Sequence, residues 1–356
     1  MTTEQTVFAR AARQEPTERT PVWFMRQAGR ILPEYRAIRQ SWTLVEICRQ
    51  PELCAEVTLQ PVSRLGVDAA ILFSDIMLPL IGVGIDLQIV DEVGPVIREP
   101  IRTGADLGRL RPLEPESDLP YVLESIRLIK RQLGDTLPLI GFSGAPFTLA
   151  AYLVEGRPTR DFVQVKSMMF GAPGLWHELM RRLTEIVIEY LRGQVAAGVD
   201  ALQLFDSWVG CLGPQDYAAF VQPYTRLIFE ALKPAGIPFI HFGTNTATLL
   251  PLMKDDGGSI IGIDWHMPLD EAWDIVGHDR GVQGNLDPAV LFAPPAYIRT
   301  RIADVLERAA DRPGHIFNLG HGLHPKTPLE NVQRAVEFVR ELSTERSAGN
   351  LTVGTT

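Results

Sequence analysis

Short apolar runs alternate with longer amphipathic stretches along most of the chain, and this alternation predicts repeated strand and helix units. Eight runs are apolar or β-branched and short enough to be strands, namely residues 21–25, 68–73, 138–142, 200–205, 238–242, 260–263, 281–283 and 315–318. Helical periodicity predicts the longer elements between them, among which 121–133, 175–197, 215–233 and 295–309 are the clearest.

The predicted strands are almost uniformly apolar, which is typical of parallel strands that helices cover. Eight such units favour an α/β fold of the (β/α)8 TIM barrel type in a single domain. A doubly wound open sheet is the alternative. However, no Gly-x-Gly-x-x-Gly follows a strand and no Walker A loop is present, so nucleotide-binding folds lose their main support.

Three segments depart from the repeat. Residues 79–120 are rich in Gly and Pro and contain short extended pieces at 85–90 and 95–97, which predict a hairpin and loop insertion on the barrel. Residues 1–20 form a polar leader, and the small polar residues 343–356 predict a flexible tail. The barrel domain is therefore expected to span residues 1–342.

The composition is that of a folded globule, with 46% apolar and 22% charged residues in a chain of 356. A net charge of −9 and a pI near 5.4 exclude the broad basic face that nucleic acid requires. An anionic small molecule must therefore be bound by a local cluster of cations. No run approaches the roughly 18 apolar residues of a membrane helix, so no membrane contact is expected.

Cysteine usage indicates a reducing compartment. The chain has three cysteines, Cys48, Cys54 and Cys211, an odd number without metal-ligand spacing, and this is typical of free thiols. The first twenty residues carry charges and lack the apolar block of a secretory signal. A cytoplasmic location is expected.

The predicted strands end in small or polar residues, and in a barrel these ends surround the mouth that holds the site. The end residues are Ser74 and Asp75, Ser143 and Gly144, Asp206 and Ser207, Gly243 and Thr244, Asp264, Gly284 and Asn285, and Gly320 and His321.

A candidate anion site follows the first strand in the stretch Met25-Arg26-Gln27-Ala28-Gly29-Arg30. If this stretch coils as a helical turn, Arg26 and Arg30 share a face and both guanidinium groups can bind one anion. Ala28 adds little bulk, and Gly29 leaves its backbone N–H open to a ligand. The alternative is a surface helix on which Arg30 pairs with Glu34.

Asp75 comes directly after the second strand. Capping the next helix is the common structural role of such an aspartate. If the first two strands are neighbours in the barrel, however, Asp75 lies beside Arg26 and Arg30 and is expected to stay ionised. It can then stabilise a positive charge on a bound substrate or accept N–H hydrogen bonds from it.

Three further polar side chains follow later strands. Tyr152 lies on an apolar stretch past the third strand, where a core position is the usual alternative. Ser207 has no histidine base nearby in sequence and is interpreted as a hydrogen-bond donor. His321 is flanked by Gly320 and Gly322, which are expected to leave its ring accessible. Other histidines lie near strand ends, but His241 has no cysteine at ligand spacing, so structural histidines are expected and no metal.

Together these pieces resemble the uroporphyrinogen decarboxylase family over nearly the whole chain, from about residue 5 to about residue 340. The tracts that carry the resemblance are residues 21–36, 73–76, 140–156, 204–210, 283–288 (Gln-Gly-Asn-Leu-Asp-Pro) and 318–322. Departures at Val209, Cys211 and Asn245 touch no contact residue of the family.

The resemblance implies a distorted (β/α)8 barrel that forms a homodimer and uses no cofactor and no metal. It implies removal of the four acetate carboxylates of uroporphyrinogen III, giving coproporphyrinogen III. It also assigns substrate contacts to Arg26, Gln27, Ala28, Gly29, Arg30, Asp75, Tyr152, Ser207 and His321, with Asp75, Arg26 and Arg30 in catalysis. The proton donor stays open, since Tyr152 and His321 lie nearer the usual range of acids than an arginine does.

Two rival interpretations remain. A corrinoid-dependent methyltransferase of the same superfold requires a zinc-binding His-x-Cys pair, and the sequence after His241 lacks that cysteine. A non-catalytic tetrapyrrole carrier keeps the arginines but has no use for Asp75. Metal analysis tests the first rival and turnover tests the second.

Overall fold

The structure is a computed structural model that describes residues 2–90 and 93–353, with side chains described up to residue 347. Its strands are β1 (Ala70–Ile71), β2 (Leu87–Val90), β3 (Gly94–Ile97), β4 (Leu139–Gly144), β5 (Ala201–Asp206), β6 (Phe239–Gly243), β7 (Ile260–Gly262), β8 (Gly281–Leu286) and β9 (His315–Leu319).

The α-helices are α1 (Val7–Ala12), α2 (Pro33–Arg39), α3 (Leu44–Cys48), α4 (Pro51–Leu65), α5 (Leu78–Gly82), α6 (Pro115–Asp118), α7 (Pro120–Leu133), α8 (Pro146–Glu155), α9 (Val163–Gly171), α10 (Pro173–Ala197), α11 (Pro214–Phe220), α12 (Gln222–Leu232), α13 (Leu250–Met253), α14 (Leu269–Val276), α15 (Pro295–Ala309) and α16 (Leu329–Val353). Short 3-10 turns lie at Thr3–Gln5, Asp106–Arg109, Val209–Cys211, Lys233–Ala235 and Pro288–Phe292.

Seven parallel strands form one curled sheet in the order β1-β4-β5-β6-β7-β8-β9. The strands are almost wholly buried because helices cover the sheet outside and side chains fill it inside. The predicted α/β barrel of parallel strands and helices is therefore confirmed. Among the described residues, no helix is both long and apolar enough to cross a membrane.

The segment predicted as the first strand, residues 21–25, closes the gap between β9 and β1 without being a regular strand. Val22 forms one parallel bridge with Phe317, and the Asp68 N–H donates to the Val22 carbonyl at 2.8 Å. Pairing stops there because side chains replace strand partners: the Met25 N–H donates to Asn318 Oδ1 at 3.2 Å. The prediction of a full strand was wrong, although its place in the ring was right.

A line of buried polar side chains connects this closing segment to the far strands. Trp23 Nε1 donates to Gln283 Oε1 at 3.0 Å, and Gln283 Nε2 donates to Gln203 Oε1 at 3.1 Å. All three residues are at most 1% exposed, so the bonds satisfy polar groups that would otherwise be costly inside the barrel.

The predicted insertion is confirmed as an antiparallel hairpin of β2 and β3, which lies outside the main sheet. It packs on α8, where the Ile97 N–H donates to the Gly156 carbonyl at 2.8 Å and the Ile101 N–H donates to the Leu153 carbonyl at 2.9 Å. The insertion is therefore attached to the element that follows β4.

Two expectations about helices need correction. The helix predicted over 215–233 breaks at Val221 into α11 and α12, because Pro223 lacks the N–H that would continue it. The tail expected from Ser343 is instead part of α16 as far as Val353, and residues 354–356 lie outside the described residues. Ser343 is 3% exposed and donates to the Val339 carbonyl at 2.6 Å, so it packs as helix.

The expected leader also belongs to the fold. Helix α1 buries Phe8, Ala11 and Ala12 in the core. Farther along, Arg19 donates to both oxygens of Asp68 at 2.7 and 2.6 Å. These contacts fix the chain immediately before the closing segment.

Asp68 is the junction of the ring. Its carboxylate is 6% exposed and accepts from Arg19, from the Val22 N–H at 2.8 Å and from Arg340 at 3.0 Å. One buried carboxylate thus binds the leader, the closing segment and the last helix together. Removing one partner of such a buried ion pair leaves its cations uncompensated.

We expect Asp68→Asn to lower the free energy of unfolding by about 3 kcal/mol, because it removes the charge that three elements share. Urea denaturation measures this change. The matched control is Asp86→Asn, which breaks the exposed pair with Arg98 at 3.4 Å and should cost about 0.5 kcal/mol or less. If the two variants lose the same free energy of unfolding, Asp68 does not hold the three elements together.

Candidate active site

The loop after β1 brings Asp75 to the mouth of the barrel. Its Oδ1 accepts the Met77 N–H at 2.9 Å, two residues on, in the turn that precedes α5; no side chain caps that helix. Burial raises the pKa of Asp75, while the Met77 N–H and the charge of Arg26 oppose the rise. Asp75 therefore does not cap α5. Of the two arginines expected beside it, the charge of Arg26 acts on Asp75, and burial works against the ionised state that the sequence predicted.

The arginine stretch does not coil as a helical turn. Arg26 has a left-handed backbone with φ 62°, and helix α2 begins only at Pro33. Gly29 is needed because a Cβ there would lie 3.0 Å from the Arg26 carbonyl oxygen. The turn, and not a helical face, sets the directions of Arg26 and Arg30, and the expected helix was wrong.

The two arginines act on different neighbours. The charge of Arg26 lowers the pKa of Asp75, whereas the charge of Arg30 acts on Tyr35, whose pKa burial raises. The carbonyl of Arg30 accepts from Arg36 at 2.9 Å, which fastens this end of the loop to α2. Arg26 is therefore the arginine that is coupled to Asp75.

Gln27 and Ala28 face the protein. Gln27 is fully buried; its Oε1 accepts the Phe24 N–H at 3.0 Å and its Nε2 donates to the Ala69 carbonyl at 2.9 Å. Ala28 packs against the core. The Gln27 side chain thus ties the arginine loop to the start of β1, so that only the backbone here is available to a ligand.

His321 lies beside Arg26. A Cβ added at Gly322 would lie 2.5 Å from Arg26 Cδ and 2.7 Å from Cγ, so the arginine side chain runs across this glycine. Burial lowers the pKa of His321 to about 4, and the charge of Arg26 contributes to the lowering. Gly322 was expected to expose the histidine, but its principal effect is to make room for Arg26.

Tyr152 is coupled to the same charges. Burial raises its pKa to about 12; the charge of Asp75 contributes to the rise and that of Arg26 opposes it. The Trp208 ring meets the Tyr152 ring edge-on, with centroids 5.9 Å apart. The structure therefore brings Arg26, Asp75, Tyr152 and His321 into one electrostatic group.

Ser207 lies at the rim of this group, on the loop after β5. Its carbonyl accepts from Thr244 Oγ1 at 2.6 Å, which links the ends of β5 and β6. Ser207 and Trp208 also line a cleft of about 610 Å³. Trp208 did not stand out in the sequence, since one aromatic residue after a strand is usually part of the core.

The pKa values of Tyr152 and His321 bear on the open question of the proton donor. At neutral pH a phenol with a pKa of about 12 and an imidazole with a pKa of about 4 are both neutral. Neither is matched to neutral pH as a general acid, although sequence alone favoured them on their ordinary values. Both can still hydrogen-bond a ligand.

Asn318 is a further residue that sequence reasoning missed. Its Oδ1 accepts the Met25 N–H at 3.2 Å and the Leu319 N–H at 2.8 Å, so it holds the start of the arginine loop against β9. The signal that could have identified Asn318 is its position in the same strand end as His321, within the stretch Asn318-Leu319-Gly320-His321. Among the described residues, no group of three His, Cys, Asp or Glu side chains is arranged to hold a metal.

The fold is that of an enzyme of the TIM-barrel type, and Arg26, Asp75, Tyr152 and His321 lie where such barrels hold their sites, at the C-terminal ends of the parallel strands. The family model for uroporphyrinogen decarboxylase matches residues 3–342. The chain therefore belongs to the uroporphyrinogen decarboxylase family, and it is a carboxy-lyase.

Individual relatives carry the same description. The uroporphyrinogen decarboxylase of Carboxydothermus hydrogenoformans is 53% identical over 336 residues, covering 94% of this chain and 96% of that one. A uroporphyrinogen decarboxylase of Thermus thermophilus is 55% identical over 337 residues, covering 95% and 98%. That of Sorangium cellulosum is 54% identical over 335 residues, covering 94% and 96%.

Solved structures with low identity support the fold alone. A methyltransferase from Methanosarcina mazei superposes with a TM-score of 0.74 at 20% identity, covering 95% of this chain and 98% of that one. A B12-independent methionine synthase from Shewanella sp. W3-18-1 gives a TM-score of 0.57 at 11% identity, covering 88% and 91%.

We expect Gly322→Ala to lower kcat/KM for the decarboxylation on the order of tenfold, because the new methyl group displaces the Arg26 side chain. Thermal unfolding should change little, since a flexible side chain moves aside. Gly104→Ala is the control, because a Cβ there meets nothing within 4 Å. Wild-type kinetics in Gly322→Ala would contradict the assigned path of Arg26.

We expect the free energy of unfolding to fall as the pH drops from about 6.5 to about 4, since His321 stays neutral when folded but takes up a proton when unfolded. The His321 contribution, on the order of 2 kcal/mol, is present above that window and lost below it. His321→Asn should therefore show a shallower decline in urea denaturation, while His278→Asn, an exposed control, should follow the wild type. Identical declines in all three proteins would count against the burial of His321.

Proposed function

We propose that this chain removes the four acetate carboxylates of uroporphyrinogen III and releases coproporphyrinogen III and CO2, a step in tetrapyrrole biosynthesis. The observation that carries the proposal is the coupling of Asp75 to Arg26 and Tyr152 at the mouth of the barrel. A carboxylate beside a cation and a phenol suits a substrate with pyrrole N–H groups at its centre and acids at its rim.

The chemistry requires an electron sink. Loss of CO2 from a pyrrole acetate would otherwise leave a poorly stabilised carbanion. Protonation of the pyrrole at a ring carbon makes the ring cationic, so that the electrons of the breaking C–C bond flow into it. A second proton then adds to the exocyclic methylene and makes it a methyl group, and the ring carbon gives up the first proton. Each turn therefore consumes one proton, which the methyl group keeps, and releases one carboxylate as CO2.

In this proposal Asp75 stabilises the cationic ring. Its Oδ1 is oriented by the Met77 N–H, which fixes the carboxylate before the substrate arrives. The carboxylate then accepts the pyrrole N–H groups at the centre of the macrocycle. Preorganised charge of this kind is among the strongest contributions a protein makes to catalysis.

The arginines recognise the acidic rim. Arg26 and Arg30 bind substrate carboxylates, and a planar guanidinium is suited to this because it donates two parallel hydrogen bonds. The backbone from Gln27 to Gly29 contributes contacts between them. Arg26 is exposed, which suits a side chain that binds a ligand at the mouth.

Tyr152, Ser207 and His321 complete the substrate contacts. A neutral phenol and a hydroxyl donate hydrogen bonds, while a neutral imidazole donates through one nitrogen and accepts through the other. Because burial moves the pKa values of Tyr152 and His321 away from neutrality, this proposal gives them hydrogen-bonding roles and leaves the proton donor unassigned. The protonated pyrrole is itself the electron sink, so the proposal uses no metal and no cofactor.

Two further proposals concern the state of the protein. Three free thiols, at Cys48, Cys54 and Cys211, support a reducing, cytoplasmic location. The exposed apolar side chains Phe292 and Tyr297 offer surface for a homodimer contact. Sedimentation velocity of the purified chain tests the dimer, and a single species at 39.5 kDa would contradict it.

The activity itself is tested by incubating the purified chain with uroporphyrinogen III under reducing conditions and separating the products by their number of carboxylates. The expected result is stepwise loss of four carboxylates. Unchanged substrate would overturn the proposal and favour a tetrapyrrole carrier.

We expect Asp75→Asn to lower kcat on the order of 100-fold or more while the fold is kept, because an amide cannot balance the cationic ring. Asp287→Asn is the matched control, since Asp287 also follows a strand and accepts an N–H two residues on, from Ala289 at 2.8 Å. The control should stay within about twofold of wild type. Near-normal turnover in Asp75→Asn would take Asp75 out of the mechanism.

A further inference from the structure

A second recess adjoins the electrostatic group at the mouth. This cleft of about 610 Å³ lies between the α8–α9 loop and the loops that follow β5 and β6. Its lining includes Arg160, Phe162, Ser207, Trp208, Thr244 and Asn245. The volume lies in the range of small-molecule sites, and the position is the C-terminal face of the barrel, where ligands bind.

The cleft has one aromatic wall. The Trp208 ring contacts Tyr152 on one side, at 5.9 Å between centroids, and Phe162 on the other, at 5.5 Å. Trp208 therefore separates the cleft from the group around Asp75 while remaining in contact with both. A flat ring that extends past Tyr152 meets an aromatic surface here.

Arg160 is the one charged side chain among the described residues that line the cleft. It is exposed and forms no ion pair within the described part of the chain. Glu155, before this loop, accepts the Val165 N–H at 3.0 Å at the start of α9, and Asp161, next to Arg160, is not part of the cleft lining. The guanidinium is thus available to an anion.

The backbone that carries Arg160 is braced at both ends. Gly156 has φ 81°, accepts the Ile97 N–H, and would place a Cβ 2.6 Å from Pro100 Cγ. At the other end Arg102 donates to Gln164 Oε1 at 2.8 Å. The hairpin insertion therefore supports the loop from outside, so that Arg160 is presented from a fixed base.

We propose that this cleft is a subsite for one carboxylate-bearing arm of the tetrapyrrole, bound by the Arg160 guanidinium while Trp208 and Phe162 contact the attached pyrrole ring. The inference rests on the proposed function. Arg26 lies on the β9 side of the mouth and Arg160 lies beyond Tyr152 and Trp208, so the two cations are suited to arms on different sides of one macrocycle. The arm is an acetate or a propionate, and both end in a carboxylate.

The test compares Arg160→Ala and Arg160→Lys with Arg157→Ala, a control that removes an exposed arginine from the same loop but outside the cleft. With uroporphyrinogen III, Arg160→Ala should raise KM about tenfold and change kcat by less than about twofold, because a binding contact is lost and the reacting centre is not. Arg160→Lys should fall between wild type and Arg160→Ala, and Arg157→Ala should stay within about twofold of wild type.

Inhibition by coproporphyrinogen III, which keeps only the propionates, distinguishes the two arms. A propionate contact predicts that Arg160→Ala weakens this inhibition by the same factor as KM. An acetate contact predicts unchanged inhibition. If Arg160→Ala and Arg157→Ala give the same KM, the subsite proposal is wrong, whereas a wild-type chain that leaves uroporphyrinogen III intact refutes the proposed function instead.

Discussion

The barrel depends on a single buried carboxylate. The segment that completes the ring has one strand bridge, at Val22, and a few backbone hydrogen bonds to its neighbours, among them the Asp68 N–H to the Val22 carbonyl. The Asp68 carboxylate strengthens this closure by accepting from Arg19, from the Val22 N–H and from Arg340. Burying charge is costly, and it is tolerated here because every oxygen has a donor and the cations come from separate elements.

The same junction determines where the loops that carry Arg26 and Asp75 begin. The closing segment leads directly into Arg26, and the chain from Asp68 leads through β1 to Asp75. The side chain of Gln27 then ties the first loop to Ala69, just before β1. The loop of Arg26 and the strand that leads to Asp75 are therefore tied together by a buried hydrogen bond, and a fixed arrangement of this kind preorganises charge.

Burial shapes the site as much as charge does. It raises the pKa of Tyr152 and lowers that of His321, so both are neutral hydrogen-bonding groups near neutral pH. It also raises the pKa of Asp75, and the Met77 N–H and the charge of Arg26 oppose that rise. In the proposed function, a polyanionic macrocycle meets the arginines at its edge and the Asp75 carboxylate at its centre, with neutral hydrogen-bonding groups around them.

Much of this arrangement follows from sequence, because strand periodicity and polar residues at strand ends are local signals. The ring of parallel strands, the hairpin insertion and the neighbourhood of Arg26 and Asp75 could be anticipated from these signals, whereas Tyr152 and His321 were placed with them by the family resemblance. The left-handed turn at Arg26 could not, since it depends on room that Gly29 and Gly322 provide across the fold. The break at Val221 and the helical course of 343–353 were missed because tertiary packing, and not composition, decides them.

The hairpin of β2 and β3 lies outside the barrel, yet it fastens to Gly156 at the base of the α8–α9 loop. Changes in the length or twist of this external ribbon would be transmitted to the rim, while the strands of the barrel stay as they are. Ligand preference can therefore change through the β2–β3 hairpin while the buried strands of the barrel stay the same.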